Sequence, residues 1–321
     1  MDEISIWQQN VNKSLACQHD VISNKRLVTK GINIVALQEP ALSESRLTIA
    51  SRDWITIYPS DHTNNPQKTR SIMLIRADTS SESWNQLEFP SSNATVMQIT
   101  GPWGKLTIFN VYNDSEQDNT IRLLTDYHSR HKDSLERTTM GKAHIIWVGH
   151  FNRHHPLWDS PEDMRLFTNE AMDAAEKLIE AIMDTGLELV LPSGIPTHKH
   201  NVTKRWSRLD QVFLSTHSKE VLTTCNMLPE QRGINTDHLP ILTELRLEVA
   251  VTEAKAIPNF HSMNWDDFRD ELRKQLDKVQ EPAHISNQAQ LNECCKELTE
   301  ALQEAIRVVV PAEKPTSKSK R

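Results

Sequence analysis

The pattern of hydrophobic and polar positions divides the chain into two regions. In residues 1–250, short apolar runs rich in β-branched residues alternate with polar, turn-rich stretches. Runs of this length and composition predict buried β-strands. The nine predicted strands are residues 4–8, 32–37, 71–75, 94–99, 106–112, 144–148, 187–191, 210–214 and 241–247.

Helical spacing is found between these strands. Residues 162–184 carry apolar side chains three and four positions apart, which predicts a helix with Ser160 as its N-cap, Pro161 in its first turn and Gly186 after its end. A shorter helix is predicted over residues 20–30. Strands mixed with helices indicate an α/β or α+β layered domain over residues 1–250.

The second region, residues 251–312, has no strand pattern. Asn264 is expected to cap one amphipathic helix, and a second apolar stripe extends from Leu291 to Val309. Each stripe is short for a self-sufficient coiled coil, so a packed helical hairpin is favoured over a dedicated partner-binding coiled coil. Residues 313–321 are polar and basic, which predicts a disordered tail.

The composition argues against several classes of protein. The chain has 321 residues, 36 Lys+Arg against 43 Asp+Glu, and only eight glycines. The scarcity of glycine argues against P-loop and Rossmann nucleotide binding, which need glycine-rich phosphate loops. No apolar run reaches the ~18 residues of a membrane span, and the acidic N-terminus is unlike a secretory signal, so the nucleus or cytoplasm is expected.

The cysteines and the net charge bear on which further classes of protein the chain can belong to. The four cysteines, Cys17, Cys225, Cys294 and Cys295, form no C-x-x-C pair, which disfavours zinc ribbons and disulfide scaffolds. A net charge of −7 looks unfavourable for a nucleic-acid partner. It does not exclude an enzyme that holds phosphate through a metal, because the carboxylate ligands themselves make such a site acidic.

Candidate chemistry lies next to the predicted strands. Layered α/β domains build their sites at the carboxyl ends of strands, so polar residues there are expected to converge. These are Asn10, Asn12, Gln38, Glu39, Asn110, Tyr112, His150, Asn152, Asp210, Asp237 and His238. Carboxylates for a hard divalent cation, amides for phosphate oxygens and an imidazole for a proton are what phosphodiester hydrolysis requires. Structural roles remain alternatives: helix capping by Glu39, a surface pair of Asp210 with Arg208, and a turn at Asp237.

The order of these motifs resembles the endonuclease/exonuclease/phosphatase superfamily over residues 4–247. The matching motifs are Asn10, Gln38-Glu39-Pro40, Asn110-x-Tyr112, Gly149-x-Phe151-Asn152, residues 207–213 and Thr236-Asp237-His238-Leu239-Pro240. Residues 37–40, 152–159 and 196–198 look like the endonuclease domain of non-LTR (LINE-type) retrotransposons. Residues 264–268 resemble the linker that leads to a reverse transcriptase in such elements, so residues 251–312 are expected to be that linker.

The resemblance implies a fold, a metal and a set of roles. The fold would be a four-layer sandwich of two mixed β-sheets flanked by helices. The metal would be Mg²⁺, with Mn²⁺ as an alternative. The residues of the metal site would be Glu39, Asn10 and Asp237. Tyr112 and Asn152 would contact the scissile phosphate, and His238, oriented by Asp210, would stabilise charge on it. Among the residues expected on the DNA side, Asn110 would support this network of phosphate-contacting residues. His154 and Arg208 would line the DNA-binding surface.

The chain departs from the family pattern at position 150. The family has an aspartate there that activates the attacking water, whereas this chain has His150. A general base contributes about 10²–10⁴ in rate, so strongly reduced activity is expected. His150, His154 and His155 lie within six residues of each other, but carboxylates suit Mg²⁺ better than imidazoles, so a histidine metal site there is disfavoured.

The sequence therefore predicts a Mg²⁺-dependent DNA endonuclease domain of retrotransposon type whose activity is impaired by His150. No Tyr/Phe-x-Asp-Asp polymerase motif is present. One alternative is a catalytically inactive nucleic-acid-binding relic. Another is a different phosphoesterase of the same superfamily, acting on RNA, inositol phosphates or sphingolipids. The oligomeric state stays open.

Overall fold

The computed structural model describes residues 3–23, 25–248, 257–279, 285 and 287–313. It divides into two compact units, Met1–Thr252 and Glu253–Arg321. The strands of the first unit are β1 (Ile4–Asn10), β2 (Ile34–Gln38), β3 (Trp54–Ile57), β4 (Ser71–Arg76), β5 (Trp84–Leu87), β6 (Ala94–Gly101), β7 (Gly104–Tyr112), β8 (Lys142–His150), β9 (Leu187–Leu189), β10 (His198–Lys199), β11 (Trp206–Ser207), β12 (Asp210–Ser215), β13 (Leu222–Met227) and β14 (Ile241–Leu245).

Two six-stranded mixed sheets form the centre of the first unit. One has the order β13-β14-β1-β2-β4-β3 and the other β5-β6-β7-β8-β12-β9. In each sheet two inner strands run parallel, β1 with β2 and β7 with β8, while their neighbours are antiparallel. Strands β10 and β11 form a separate two-stranded ribbon.

The sheets face each other across an apolar core, and helices cover their outer faces. Ile6 and Ile34 of one sheet share the central core with Ile108, Ile146 and other residues of the second sheet. The helices are α1 (Leu15–Ser23), α2 (Lys25–Thr29), α3 (Asn119–Glu136) and α4 (Asn169–Asp184). A second core joins α3 and α4 to one sheet, and a third joins α1 and α2 to the other. This is the predicted α/β four-layer sandwich, and each fully buried aliphatic side chain contributes roughly 1.5–3 kcal/mol.

All nine predicted strands are present, but the helix boundaries differ from the prediction. The predicted N-cap of α4 was wrong, because Thr168 and not Ser160 accepts the capping hydrogen bond, from Ala171 N at 3.2 Å. A short 3₁₀ turn, Met164–Leu166, precedes it. The segment predicted as one helix over 20–30 instead belongs to α1 and α2. Helix α3 was not predicted.

The second unit contains strands β15 (Ile257–Pro258) and β16 (Ala312–Glu313) and helices α5 (Trp265–Leu276) and α6 (Gln288–Val309). Asn264 caps α5, as predicted, by accepting a hydrogen bond from Asp266 N at 3.0 Å. Residues 314–321 of the predicted tail lie outside the described residues, as does the predicted boundary at 250–251. Among the described helices, none is both long and apolar enough to cross a membrane.

Candidate active site

The ends of the parallel strands meet at one place in the sandwich. Asn10 pairs with Gln38 at the end of β1 and β2, and Tyr112 pairs with His150 at the end of β7 and β8. Gln38 Nε2 donates to Asn110 Oδ1 at 2.5 Å, which links the two sheets just behind these ends. The sequence-predicted convergence of strand ends is therefore a property of the two-sheet architecture.

The backbone turns sharply after two of these strands. Glu39, directly after β2, has φ +46°, and Asn152, two residues after β8, has φ +53°. Left-handed backbone is uncommon for residues other than glycine, and it persists where surrounding contacts hold it. Here the main chain of Glu39 is held on both sides, by Lys13 N to Glu39 O at 2.8 Å and by Glu39 N to Arg70 O at 2.9 Å.

One buried carboxylate serves two imidazoles. Asp210, the first residue of β12, accepts a hydrogen bond from His238 Nδ1 to Oδ2 at 2.7 Å and another from His150 Nδ1 to Oδ1 at 3.0 Å. All three side chains are nearly inaccessible to solvent. Since an ionised carboxylate only accepts, both Nδ1 atoms carry the proton, and Nε2 of each ring is left for other partners.

Burial and shared charge set the pKa values of this trio. Burial raises the pKa of Asp210, but the adjacent His238 and His150 outweigh it and hold that pKa far below its usual range. Burial lowers the pKa of His150, yet the hydrogen bond and charge of Asp210 raise it above its ordinary value. The pKa of His238 falls, mainly through burial, with the charges of His150 and His198 acting in the same direction. A proton on the trio therefore resides preferentially on His150.

Glu39, Tyr112 and Arg70 form a second part of the site. Arg70 Nη1 lies 3.3 Å from Glu39 Oε1, and the guanidinium carbon lies 4.9 Å from the centre of the Tyr112 ring. Burial first, and then the hydrogen bond and charge of Glu39, raise the pKa of Tyr112 to about 12, which keeps its hydroxyl a donor at neutral pH. Tyr112 also stacks on His150, with ring centres 5.4 Å apart.

Asp237 lies in a third group, formed by loop residues. Each of its oxygens accepts an amide hydrogen bond of 3.0 Å, Oδ1 from Asn12 Nδ2 and Oδ2 from Asn201 Nδ2. His198 Nε2 lies 3.5 Å from Oδ2, and His238 Nε2 lies 3.7 Å from Oδ1. Burial opposes ionisation of Asp237, but His198 and His238 outweigh it and lower its pKa to about 2.

Three further predicted residues line or support the site. Asn10 Oδ1 accepts from Asn12 N at 2.8 Å, which connects it to the loop that reaches Asp237. Asn152 Nδ2 donates to Asn113 O at 2.7 Å. The Asn152 side chain also forms a hydrogen bond with His150 that raises the pKa of that imidazole. His154 is partly exposed, and its Nδ1 lies 3.2 Å from Asp159 Oδ2.

Two residues expected on the DNA side are internal instead. Arg208 is 1% exposed, and its guanidinium hydrogen-bonds Gln211 Oε1 at 2.9 Å and the main-chain oxygens of Trp158, Leu191 and Pro192. This corrects the expectation of a surface residue, because all three guanidinium nitrogens donate hydrogen bonds to the protein. Asn110 is also fully buried, and its Nδ2 donates to the main-chain oxygens of Leu37 and Ile72, so it joins the two sheets.

The donor atoms determine which metal each part of the site suits. Among the described residues, two groups bring three possible ligand atoms within 4.8 Å of one another, His150–Asp210–His238 and His198–Asp237–His238. Glu39 belongs to neither group. Its carboxylate still fits Mg²⁺, an ion that keeps several waters and needs only one or two carboxylates plus substrate phosphate.

Sequence reasoning did not assign His198, Arg70 or Thr197 to the site. His198 was noted only within Pro196-Thr197-His198, and its position beside His238 depends on an isolated antiparallel bridge between distant loops. Thr197 Oγ1 accepts hydrogen bonds from Leu209 N and Asp210 N at 3.3 and 3.2 Å. No local sequence signal reveals such contacts.

Known proteins are similar to this chain in sequence or in fold. The family model described as "Endonuclease-reverse transcriptase" matches residues 106–242. No curated protein matches the chain. Among solved structures, the endonuclease domain of TRAS1, a telomere-specific non-LTR retrotransposon, aligns with TM-score 0.58 and 15% identity, covering 76% of this chain and 99% of that one.

Two other solved structures align over a similar span. The AP endonuclease LMAP from Leishmania major has TM-score 0.61 and 12% identity, covering 77% of this chain and 89% of that one. A 3′ phosphatase from Neisseria bound to product DNA hairpin has TM-score 0.55 and 16% identity, covering 75% and 99%. The chain thus has the fold of the endonuclease/exonuclease/phosphatase superfamily.

Proposed function

We propose that the chain is a divalent-metal-dependent phosphodiesterase that nicks DNA, of the type found in non-LTR retrotransposons, with activity reduced by His150. The observation that carries the proposal is the 2.7 Å hydrogen bond from His238 Nδ1 to the buried Asp210 carboxylate. It fixes a ring whose Nε2 is free for a substrate oxygen, in a site that also contains Tyr112 and Glu39. The family model and the TRAS1 alignment support the retrotransposon type.

The side chains of the site offer donors to a phosphate group. His238 Nε2 can donate a hydrogen bond to a phosphoryl oxygen when the ring is protonated, with the charge balanced by Asp210. Burial lowers the pKa of His238 in the free protein, and the negative charge of a bound phosphate would act against that lowering. The Tyr112 hydroxyl stays protonated at neutral pH, and its single proton, now shared with Glu39, could be donated to a phosphoryl oxygen once Glu39 holds an ion. The second N–H of the Asn152 amide, whose first is used by Asn113 O, is available for a third.

Glu39, with Asn10 nearby, would hold Mg²⁺, or Mn²⁺ in its place. When bound, such an ion stabilises negative charge on the phosphoryl oxygens. Arg70 now contacts Glu39 at 3.3 Å and would have to share or release it when an ion is present. In that event its guanidinium remains beside Tyr112, where it can also contact phosphate.

His150 explains the proposed reduction in activity. A general base must accept a proton from water, but the contact with Asp210 raises the pKa of His150 and favours its protonated form. A protonated imidazole also repels a divalent cation. Loss of a base costs about 10²–10⁴ in rate, so weak rather than efficient nicking is expected.

Nicking of supercoiled plasmid DNA in Mg²⁺ tests the proposal on the purified full chain. We expect slow nicking by the natural protein, none by Glu39→Ala, and a gain of about 10²-fold or more in His150→Asp. Glu44→Gln, which neutralises an exposed glutamate nearby, is the control and should behave as the natural protein. Equal nicking by the natural protein and His150→Asp would refute the role given to His150.

A catalytically silent nucleic-acid-binding module is the second candidate. It is favoured by the charge at position 150, where a raised imidazole pKa places a cation in a site that would attract phosphate. DNA binding by the natural protein together with no nicking by either the natural protein or His150→Asp would favour this candidate. Residues 251–312 are proposed to be the linker segment of the element in both cases. The DNA target would be cleaved in the nucleus or cytoplasm.

A further inference from the structure

His198, Asp237 and His238 bring two imidazole nitrogens and a carboxylate together at the edge of the candidate active site. One ligand atom from each residue lies within 4.8 Å of the other two. We propose that these residues bind a borderline divalent transition-metal ion of the zinc class, at a position separate from the one that Glu39 offers to Mg²⁺. The inference concerns binding alone and does not depend on whether the chain cleaves DNA. An ion held there occupies His238 Nε2, so binding of that ion and the phosphate contact proposed for the same atom exclude each other.

The backbone holds the two histidines side by side. His198 and His238 face each other in an isolated antiparallel bridge. Hydrogen bonds flank the bridge, from Leu239 N to Thr197 O at 2.7 Å and from Lys199 N to Asp237 O at 2.9 Å. Residues directly opposite in an antiparallel pair have their side chains on the same face, so the spacing of the two rings is fixed before any ion binds.

Each ring is oriented by a hydrogen bond to its other nitrogen. His238 Nδ1 is held by Asp210 Oδ2 at 2.7 Å, and His198 Nδ1 is held by Ser207 Oγ at 3.1 Å. Metal-binding histidines nearly always use one nitrogen in this way and present the other to the metal. The Nε2 atoms are therefore the ones presented to Asp237, whose two oxygens are in turn oriented by the amides of Asn12 and Asn201.

The spacing of the ligand atoms suits an ion between them. The Nε2 atoms lie 3.5 Å (His198) and 3.7 Å (His238) from the Asp237 oxygens. A charge-assisted hydrogen bond would be about 2.7–2.9 Å. A tetrahedral zinc ion with bonds of about 2.0–2.2 Å holds its ligand atoms roughly 3.4 Å apart. Both nitrogen-to-oxygen distances are close to this spacing, although they lead to different oxygens of Asp237, His198 to Oδ2 and His238 to Oδ1.

The donor set determines the class of ion. Imidazole nitrogen favours zinc and its neighbours in the transition series, whereas Mg²⁺ prefers oxygen. Three protein ligands leave a fourth position for water or a substrate oxygen. The His198 and Asp237 side chains are 12% and 11% exposed, so an ion can reach them from solvent.

The neighbouring group His150–Asp210–His238 is a poorer site. Its nitrogen-to-oxygen distances of 3.0 and 2.7 Å are those of formed hydrogen bonds, and the Asp210 side chain is only 2% exposed. An ion bound there would have to replace both hydrogen bonds to a buried carboxylate. Asp210 acts instead by orienting His238.

Titration of the metal-free full chain with Zn²⁺ by calorimetry, and with Co²⁺ by visible absorption, tests the site. We expect one tight site with ligand-field bands of a nitrogen and oxygen donor set, and binding of Mg²⁺ at least about 100-fold weaker. His198→Asn should weaken Zn²⁺ binding by about 100-fold or more, and Ser207→Ala by about 10-fold. His200→Asn removes an exposed imidazole from the same segment and should leave binding unchanged.

Two results would overturn the proposal. One is unchanged affinity and spectrum in His198→Asn, which would show that the ion binds elsewhere. The other is an intense thiolate-to-cobalt band, which would place the ion on cysteines such as Cys294 and Cys295. Circular dichroism confirms folding of each variant, and if His198→Asn does not fold, Ser207→Ala decides by the same criteria.

Discussion

His150 and Asp210 face each other directly across the antiparallel pair of β8 and β12, and the His150 Nδ1 lies 3.0 Å from Asp210 Oδ1. The other oxygen of Asp210 is taken by His238. His150 is therefore a partner of a buried carboxylate. A substitution at position 150 must change the stability of the fold as well as the chemistry of the site.

His150→Asp is expected to lower stability while it raises nicking. Asp210 would lose a hydrogen-bond donor and gain a like charge opposite it on the neighbouring strand, at a cost of about 1–3 kcal/mol. Urea denaturation at neutral pH measures this cost. His150→Asn separates the two effects, because it has the shape of aspartate without the charge. It should lose less stability and gain no nicking, and a gain equal to that of His150→Asp would show that size, not a carboxylate, limits activity.

The His150–Asp210 pair also predicts a pH dependence of stability. The folded-state pKa of His150 is raised above its unfolded value, so the folded protein binds the extra proton more tightly. The stabilisation is fully present below the unfolded pKa of about 6.5 and is lost as the pH rises through the folded-state pKa. The advantage of the natural protein over His150→Gln in free energy of unfolding should therefore shrink as the pH rises from about 6 to about 9. A constant difference across that range would contradict the pairing.

The strands that sequence reasoning found and missed differ in burial. Central strands such as β2 are buried on both faces and contain continuous apolar runs. Strands β3, β5 and β13 were missed, and all three lie at sheet edges, where exposed positions interrupt the apolar pattern. Helix α3 was missed because its buried face includes Thr120 and His128 and its periodicity breaks at His131, where the backbone is not helical.

The candidate site was predictable only where it follows strand ends. Glu39, Tyr112 and His150 could be placed together because each is next to a buried strand. Two features of the site could not be predicted from the sequence. The inward orientation of Arg208 depends on three main-chain oxygens from other segments, and the place of His198 depends on a bridge to His238 forty residues further along the chain.

The internal position of Arg208 has a testable consequence. Arg208→Ala would remove four hydrogen bonds from a buried guanidinium and leave a cavity, so a loss of roughly 2–4 kcal/mol in the free energy of unfolding is expected. Arg205→Ala, at an exposed position in the same segment, should cost less than about 0.5 kcal/mol. Thermal and urea denaturation compare the two variants. A stable Arg208→Ala that binds DNA weakly would instead support a direct contact with the phosphate backbone.

Thr197 connects the loop of His198 to the start of β12. Its hydroxyl is expected to hold the main chain of these two segments together. Thr197 Oγ1 is fully buried and accepts hydrogen bonds from Leu209 N and Asp210 N. Thr197→Val keeps the shape but leaves one buried and one partly buried N–H group without this acceptor, at a cost of about 1–3 kcal/mol. Because Asp210 orients His238, the loss should also shift the His238 imidazole resonances in NMR spectra. Thr197→Ser keeps the hydroxyl, so it should retain the His238 resonances despite the lost methyl group. Matching resonance shifts in the serine and valine variants would mean that packing, and not the hydroxyl, positions Asp210.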